Sequence, residues 1–259
     1  GTDHELFHKN IPLPTDNISS VRVGRDSSLW ISNSLSGVYH YHPAKDFITH
    51  LQHEPDVSGS ISSNGVTDVV FCNTGLAYLV NHSGVIDVVD PVSLAVIDRV
   101  YFSADELTTD PGRGFRLFID SDGDFWIYAA VYGDGVIYLD RKTGATRVVS
   151  ANSKPYALSN NMVSGIEEDN EGLIWIATDH GGINVVNKRT QSISLILSQP
   201  GDVTSLSSNA VKAIHKSADG IIWIGTYKNG VNYYHERLYQ FMLFRSLPYQ
   251  QLQFFSNDV

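Results

Sequence analysis

The chain is punctuated by short runs that are apolar at every position, each centred on one aromatic residue. Leu29-Trp30-Ile31, Ala77-Tyr78-Leu79, Phe125-Trp126-Ile127, Ile174-Trp175-Ile176 and Ile222-Trp223-Ile224 are five such runs, and their central residues stand 48, 48, 49 and 48 residues apart. A strand with one wet face would alternate apolar and polar residues. Consecutive apolar residues predict strands buried on both faces. Ahead of Leu173 to Thr178, the run Val163 to Glu168 reads as another strand, with the turn cluster Asp169 to Gly172 between them, and a further strand starts at Ile183. No 3.6-residue periodicity supports a solenoid of helices.

The turns repeat with the strands. Three residues before each aromatic stand Ser27, Gly75, Gly123, Gly172 and Gly220. Gly37, Gly84, Gly135, Gly182 and Gly230 follow it, each leading into Val38, Val85, Val136, Ile183 or Val231. Glycine is the cheapest residue where a turn needs positive φ. Asn64, Asn161 and Asn209 recur in the polar segments that connect the units. Several short strands per unit at this period predict an all-β fold, a β-propeller of four-stranded blades with five full repeats of about 48 residues. The repeats run over about 18–59, 60–106, 107–153, 154–202 and 203–247. The second is the most degenerate, with Tyr78 in place of Trp. The third carries an insertion around Tyr132-Gly133-Asp134. Residues 1–17, with Leu6-Phe7, read as the outer strand of a preceding blade. Residues 248–259 read as the start of a sixth repeat, because Ser256-Asn257-Asp258-Val259 matches Ser208-Asn209-Ala210-Val211. The expected object is a single β-propeller domain or a fragment of a larger one, with Trp126, Trp175 and Trp223 buried between blades.

Gly220-Ile221-Ile222-Trp223-Ile224-Gly225-Thr226, Asp169 to Gly182 and the linker Ser205-Leu206-Ser207-Ser208-Asn209 together resemble the two-component regulator propeller repeat. Ser217 stands where that repeat has a turn Asp, Ala177 replaces its usual Gly, and Asp120 to Ile127 keeps the turn but loses the Gly-Thr. The resemblance implies part of a seven-bladed propeller in the periplasmic sensor region of a hybrid two-component system of Bacteroides type. Such a system joins a sensor histidine kinase to a response regulator and responds to products of polysaccharide breakdown. The repeated residues are structural, so the resemblance implies no cofactor and names no ligand.

A net charge of −10 over 259 residues argues against a nucleic-acid partner and against an anionic membrane surface. No run approaches the length of a membrane span, so contact with a membrane is expected only through other parts of a longer protein. The single cysteine, Cys72, follows Val69-Val70-Phe71 and reads as a buried small apolar residue. Asp120-Ser121-Asp122-Gly123-Asp124 resembles a calcium loop, but Phe125-Trp126-Ile127 follows where a further carboxylate is needed, so a hairpin turn accounts for it better. His40 and His42 share one strand face without an identifiable third metal ligand. No metal site and no catalytic signature is assigned.

Binding residues are then expected where the repeat leaves freedom, on the loops after the second strands. Tyr132 and Asp134, Asp179 and His180, and Tyr227 and Lys228 occupy three of these loops. Arg116 and Lys212 sit near the start of inner strands. Rings for stacking on sugar faces and charged tips for hydroxyls and acids suit an oligosaccharide. The expected function is ligand sensing without turnover, with self-association through open blade edges. The competing functions are a propeller glycosidase or polysaccharide lyase, which needs paired carboxylates, and a scaffold for sensor dimerisation that binds nothing.

Overall fold

The computed structural model describes residues 16–102, 114–129, 133–155, 157–235 and 242–244. They form twenty strands in five four-stranded antiparallel sheets, each with its strands in chain order from one edge to the other. Sheet one holds β1 (Ile18–Val23), β2 (Leu29–Asn33), β3 (Gly37–His42) and β4 (Phe47–Leu51). Sheet two holds β5 (Val66–Phe71), β6 (Ala77–Asn81), β7 (Val85–Val89) and β8 (Val96–Tyr101). Sheet three holds β9 (Phe115–Ile119), β10 (Phe125–Ala129), β11 (Val136–Leu139) and β12 (Thr146–Val149). Sheet four holds β13 (Val163–Glu168), β14 (Ile174–Thr178), β15 (Gly182–Asn187) and β16 (Ser192–Ile196). Sheet five holds β17 (Val211–Lys216), β18 (Ile222–Thr226), β19 (Gly230–Tyr234) and β20 (Met242–Phe244). These are the propeller blades that the repeat predicts. The outer strand expected around Leu6-Phe7 and the repeat start at Ser256-Asn257 lie outside the described residues. The chain divides into two compact units, Gly1–Leu117 and Phe118–Val259, and the division falls inside β9.

The aromatic phase is the packing phase. In the first unit Trp30 is fully buried and clusters with Val66, Val69 and Leu79 of the following sheet. In the second unit Trp126 packs with Val163, Ile166, Ile174 and Ile176 of sheet four, and Trp175 packs with Val211, Ile222 and Ile224 of sheet five. Each tryptophan is thus covered by the sheet that follows it in sequence. Trp223 departs from the expectation of burial. It is 38% exposed, because no further sheet follows sheet five among the described residues.

The turn before each second strand ties the indole down. Asp169 Oδ1 accepts hydrogen bonds from the backbone N–H groups of Glu171 and Leu173, while Oδ2 accepts from Trp175 Nε1 at 2.9 Å. Asp120 does the same for Trp126, at 2.8 Å. In sheet one the acceptor for Trp30 Nε1 is Ser28 Oγ, itself bonded to Asp26. Gly172 closes such a turn at φ 78°, and Ser27 takes the same conformation at φ 64°, a strain that the other four blades avoid with glycine. The repeated linker asparagines staple consecutive blades. Asn209 Oδ1 accepts from Ser198 N–H, and its backbone carbonyl accepts from Gly182 N–H. Asn161 and Asn64 make the equivalent bonds.

Cys72 is not a core residue. It is half-buried in the turn after β5, with its Sγ 2.7 Å from Thr74 Oγ1 and 3.6 Å from the Tyr78 hydroxyl. Burial pushes the thiol up, but hydrogen bonds to Thr74 and Tyr78 outweigh it and the net shift is downward.

Candidate functional site

Two turns with the same pairing register build a charged cluster at one end of sheets four and five. The β14–β15 turn presents Asp179 and His180. The β18–β19 turn presents Tyr227 and Lys228. Antiparallel pairing closes both turns, with Thr178 opposite Gly182 and Thr226 opposite Gly230. The turns are anchored to the preceding linkers, where Asp179 N–H donates to Met162 O at 2.8 Å and Tyr227 N–H to Ala210 O at 2.9 Å. Lys212, the second residue of β17, projects between them. Its Nζ lies 2.6 Å from Asp179 Oδ2 and 5.5 Å from the centre of the Tyr227 ring. Lys228 Nζ lies 5.0 Å from the same ring. His180 Nδ1 approaches Asp179 Oδ1 at 2.9 Å.

Five of the eight sequence-derived candidates therefore converge: Asp179, His180, Lys212, Tyr227 and Lys228. Asp179 is half-buried and pins Lys212, while His180, Tyr227 and Lys228 are exposed. His180 and Lys228 adopt left-handed backbone conformations, at φ 69° and 60°. Non-glycine residues occupy that region at a cost of about 1–2 kcal/mol. Asp134 is half-buried in the β10–β11 loop between Gly133 and Gly135. Tyr132 lies outside the described residues. Arg116 belongs to the first compact unit, where Nη1 donates to Thr67 O at 3.1 Å and Nη2 to Ser19 O at 3.0 Å.

The loop resembling a calcium site has a different occupant. Carboxylate oxygens of Asp120, Asp122 and Asp124 lie within 4.8 Å of one another. Lys188, from the turn after β15, places its ammonium among them, 2.6, 2.7 and 2.9 Å away. The lysine supplies the positive charge a metal ion would otherwise bring. Sequence reasoning missed it because Lys188 is remote in the chain from the aspartates it meets. The ammonium lines a cleft of about 200 Å³ with Ser121, Glu168, Glu171 and Arg189.

Among carboxyls outside that cluster, Glu167 on β13 is held above its ordinary range by burial, although the Lys216 backbone N–H and the neighbouring His215 oppose the shift. His215 Nδ1 lies 3.4 Å from its Oε1.

Comparison with known proteins bears out the resemblance read from the repeat. Residues 157–180 and 205–228 match the family model described as two component regulator propeller. Both matched segments end in the loops that carry the cluster. The extracellular domain of a hybrid two component system from B. thetaiotaomicron superposes with a TM-score of 0.68 at 16% identity, over 98% of this chain and 32% of that one. PorZ, a surface component of the type-IX secretion system of Porphyromonas gingivalis, gives 0.66 at 16% identity, over 93% of this chain and 35% of that one. Virginiamycin B lyase from Staphylococcus aureus gives 0.60 at 14% identity, over 90% and 71%. At these identities the likeness is one of fold, and the fold is a β-propeller. The chain spans about a third of the first two proteins. No curated protein sequence matches it. No helix among the described residues is long and apolar enough to cross a membrane.

Proposed function

We propose that this chain is a ligand-binding propeller in the periplasmic sensor region of a hybrid two-component signalling protein, and that it takes oligosaccharides released by polysaccharide breakdown. The repeat family and the extracellular hybrid-system neighbour support the sensor context. The observation that carries the binding site is the convergence of Asp179, His180, Lys212, Tyr227 and Lys228 on one end of two adjacent blades. None of these side chains belongs to the hydrophobic clusters that hold the blades of the second unit together. Two of them occupy left-handed positions that glycine would fill without strain.

The cluster divides its labour. Asp179 fixes Lys212, and the two ammonium groups beside the Tyr227 ring hold positive charge at an aromatic surface. A sugar stacking on the exposed part of the ring would bring its hydroxyls to His180 and an acidic substituent to Lys228. Binding of this kind needs no general base, and we expect no turnover.

The test is calorimetry of the chain with neutral and acidic oligosaccharides, comparing wild type with Tyr227→Ala and His180→Ala. Loss of a stacking ring or of a hydrogen bond to a charged group is worth about 1.5–3 kcal/mol, or roughly ten- to a hundredfold in affinity. A sugar that binds wild type and both variants equally refutes the site. Cleavage of the sugar refutes the non-enzymatic reading and favours the lyase or glycosidase alternative.

A further inference from the structure

The first strands of the first unit carry a second charged constellation. Asp68 on β5 is buried, with its side chain 2% exposed. Arg22 on β1 donates to its Oδ1 through Nη2 at 3.0 Å, and Arg116 on β9 brings Nη1 within 3.5 Å of the same oxygen. The Val69 N–H also donates to that oxygen, and the Leu117 N–H lies 3.4 Å from Oδ2. Arg116 is fixed further by the carbonyls of Ser19 and Thr67.

The repeat shows that the fold does not require these charges. Counted back from each central aromatic, Arg22 shares its position with Val70, Phe118, Glu167 and His215. Asp68 and Arg116 share theirs with Ser20, Gly165 and Ala213. In sheet four that position is packed tight, since a Cβ on Gly165 would lie 2.8 Å from the Ile214 side chain, while in sheet five the small Ala213 there is exposed. Small residues therefore serve the blade there, and two charged ones stand in the first unit.

One guanidinium would neutralise Asp68; the structure supplies two. The carboxylate is sealed, while the Arg22 and Arg116 side chains remain 45% and 34% exposed. The surplus positive charge is therefore partly exposed, on guanidinium groups held in place by Asp68 and by backbone carbonyls, among them Val21 O, which accepts from Arg22 Nη1 at 3.3 Å. We propose that Arg22 and Arg116, oriented by Asp68, form an anion-recognition subsite for a small carboxylate-bearing ligand. The planar guanidinium fork matches a carboxylate in two parallel hydrogen bonds, and prior fixation of Arg116 lowers the ordering cost of binding. If the chain senses oligosaccharides, the natural ligand is a uronic acid. That step rests on the proposed function, whereas the anion subsite itself does not.

The experiment titrates the chain with sodium galacturonate, sodium acetate and galactose, following the arginine side-chain N–H resonances by NMR. Galacturonate and acetate shift the Arg22 and Arg116 signals, galactose does not, and added salt weakens the response. Arg22→Gln, at the more exposed and less tied of the two arginines, lowers carboxylate affinity tenfold or more, and Arg22→Lys recovers only part of it. Lys45→Gln, which removes an exposed charge elsewhere in the first unit, leaves this response intact. The proposal is overturned if neither carboxylate perturbs the arginines, if galactose does so equally, or if Arg22→Gln keeps wild-type affinity. Loss of galacturonate binding in Tyr227→Ala but not in Arg22→Gln would assign the anion to the rim and leave that reading standing.

Discussion

Lys188→Met removes one charge and keeps a side chain of similar length. In the native protein the ammonium sits among three carboxylates at 2.6 to 2.9 Å, and only 13% of the side chain is exposed. The Asp120 and Asp124 side chains are 0% and 9% exposed, whereas Asp122 is 59% exposed and adds little. Removing one partner from such a group leaves uncompensated buried charge, at a cost of about 3–5 kcal/mol. That is a large part of the roughly 5–15 kcal/mol that separates folded from unfolded protein. Tyr138 and Trp126 share the loss, because the Tyr138 hydroxyl donates to Asp124 and the Trp126 indole to Asp120.

The pH dependence gives the sharper check. Burial pushes Asp124 up, but bonds from Tyr138, the Arg141 N–H and Lys188 outweigh it and hold its pKa below the usual 3.8. Its contribution is therefore present above that usual value and is lost as pH falls through the lower folded value. Burial alone would push Lys188 down, but the three aspartates raise it above its usual 10.5. Its contribution is complete below that value and is lost only as pH rises through the higher folded one. Wild type thus keeps both contributions at neutral pH. In Lys188→Met the buried Asp124 carboxylate loses one of the partners that holds its pKa down, and taking up a proton relieves its charge, so the destabilisation should be largest near pH 7 and shrink toward about pH 3. Urea unfolding followed by tryptophan fluorescence at both pH values measures it. A cost below about 1 kcal/mol at pH 7, or one equally large in acid, refutes the reasoning.

Asp169→Ala strips the turn of two backbone bonds and leaves the buried Trp175 indole N–H without its acceptor, costing about 2–4 kcal/mol. Acrylamide quenching accompanies that measurement: the accessible component of native emission should come from Trp223 and vanish in Trp223→Phe, because Trp30, Trp126 and Trp175 are 0%, 0% and 3% exposed. His180→Gly and Lys228→Gly relieve left-handed strain while loosening the unfolded chain, so each should change stability by between zero and about 1 kcal/mol in the stabilising direction. Thermal unfolding checks this, and a clear destabilisation would mean that these side chains hold the fold rather than serve a ligand.

The sequence by itself determined the repeating unit. Strand identity depends on a local pattern of apolar residues, and the turns depend on which residues tolerate positive φ. Both are written within a few residues of one another, so a period near 48 predicts the five sheets and their turns. The same local reading located the loops that depart from the repeat, and four of their residues meet in space with Lys212 from the start of β17. Tertiary structure decided which side chains share charge. Lys188 reaches aspartates 64 to 68 residues away, and Arg22 reaches a carboxylate 46 residues away, distances at which no sequence pattern records a contact. It also decided burial. Trp223 has the same local pattern as Trp175, yet one is exposed and the other covered, because burial of a blade face depends on the neighbouring sheet and not on the strand that carries the residue.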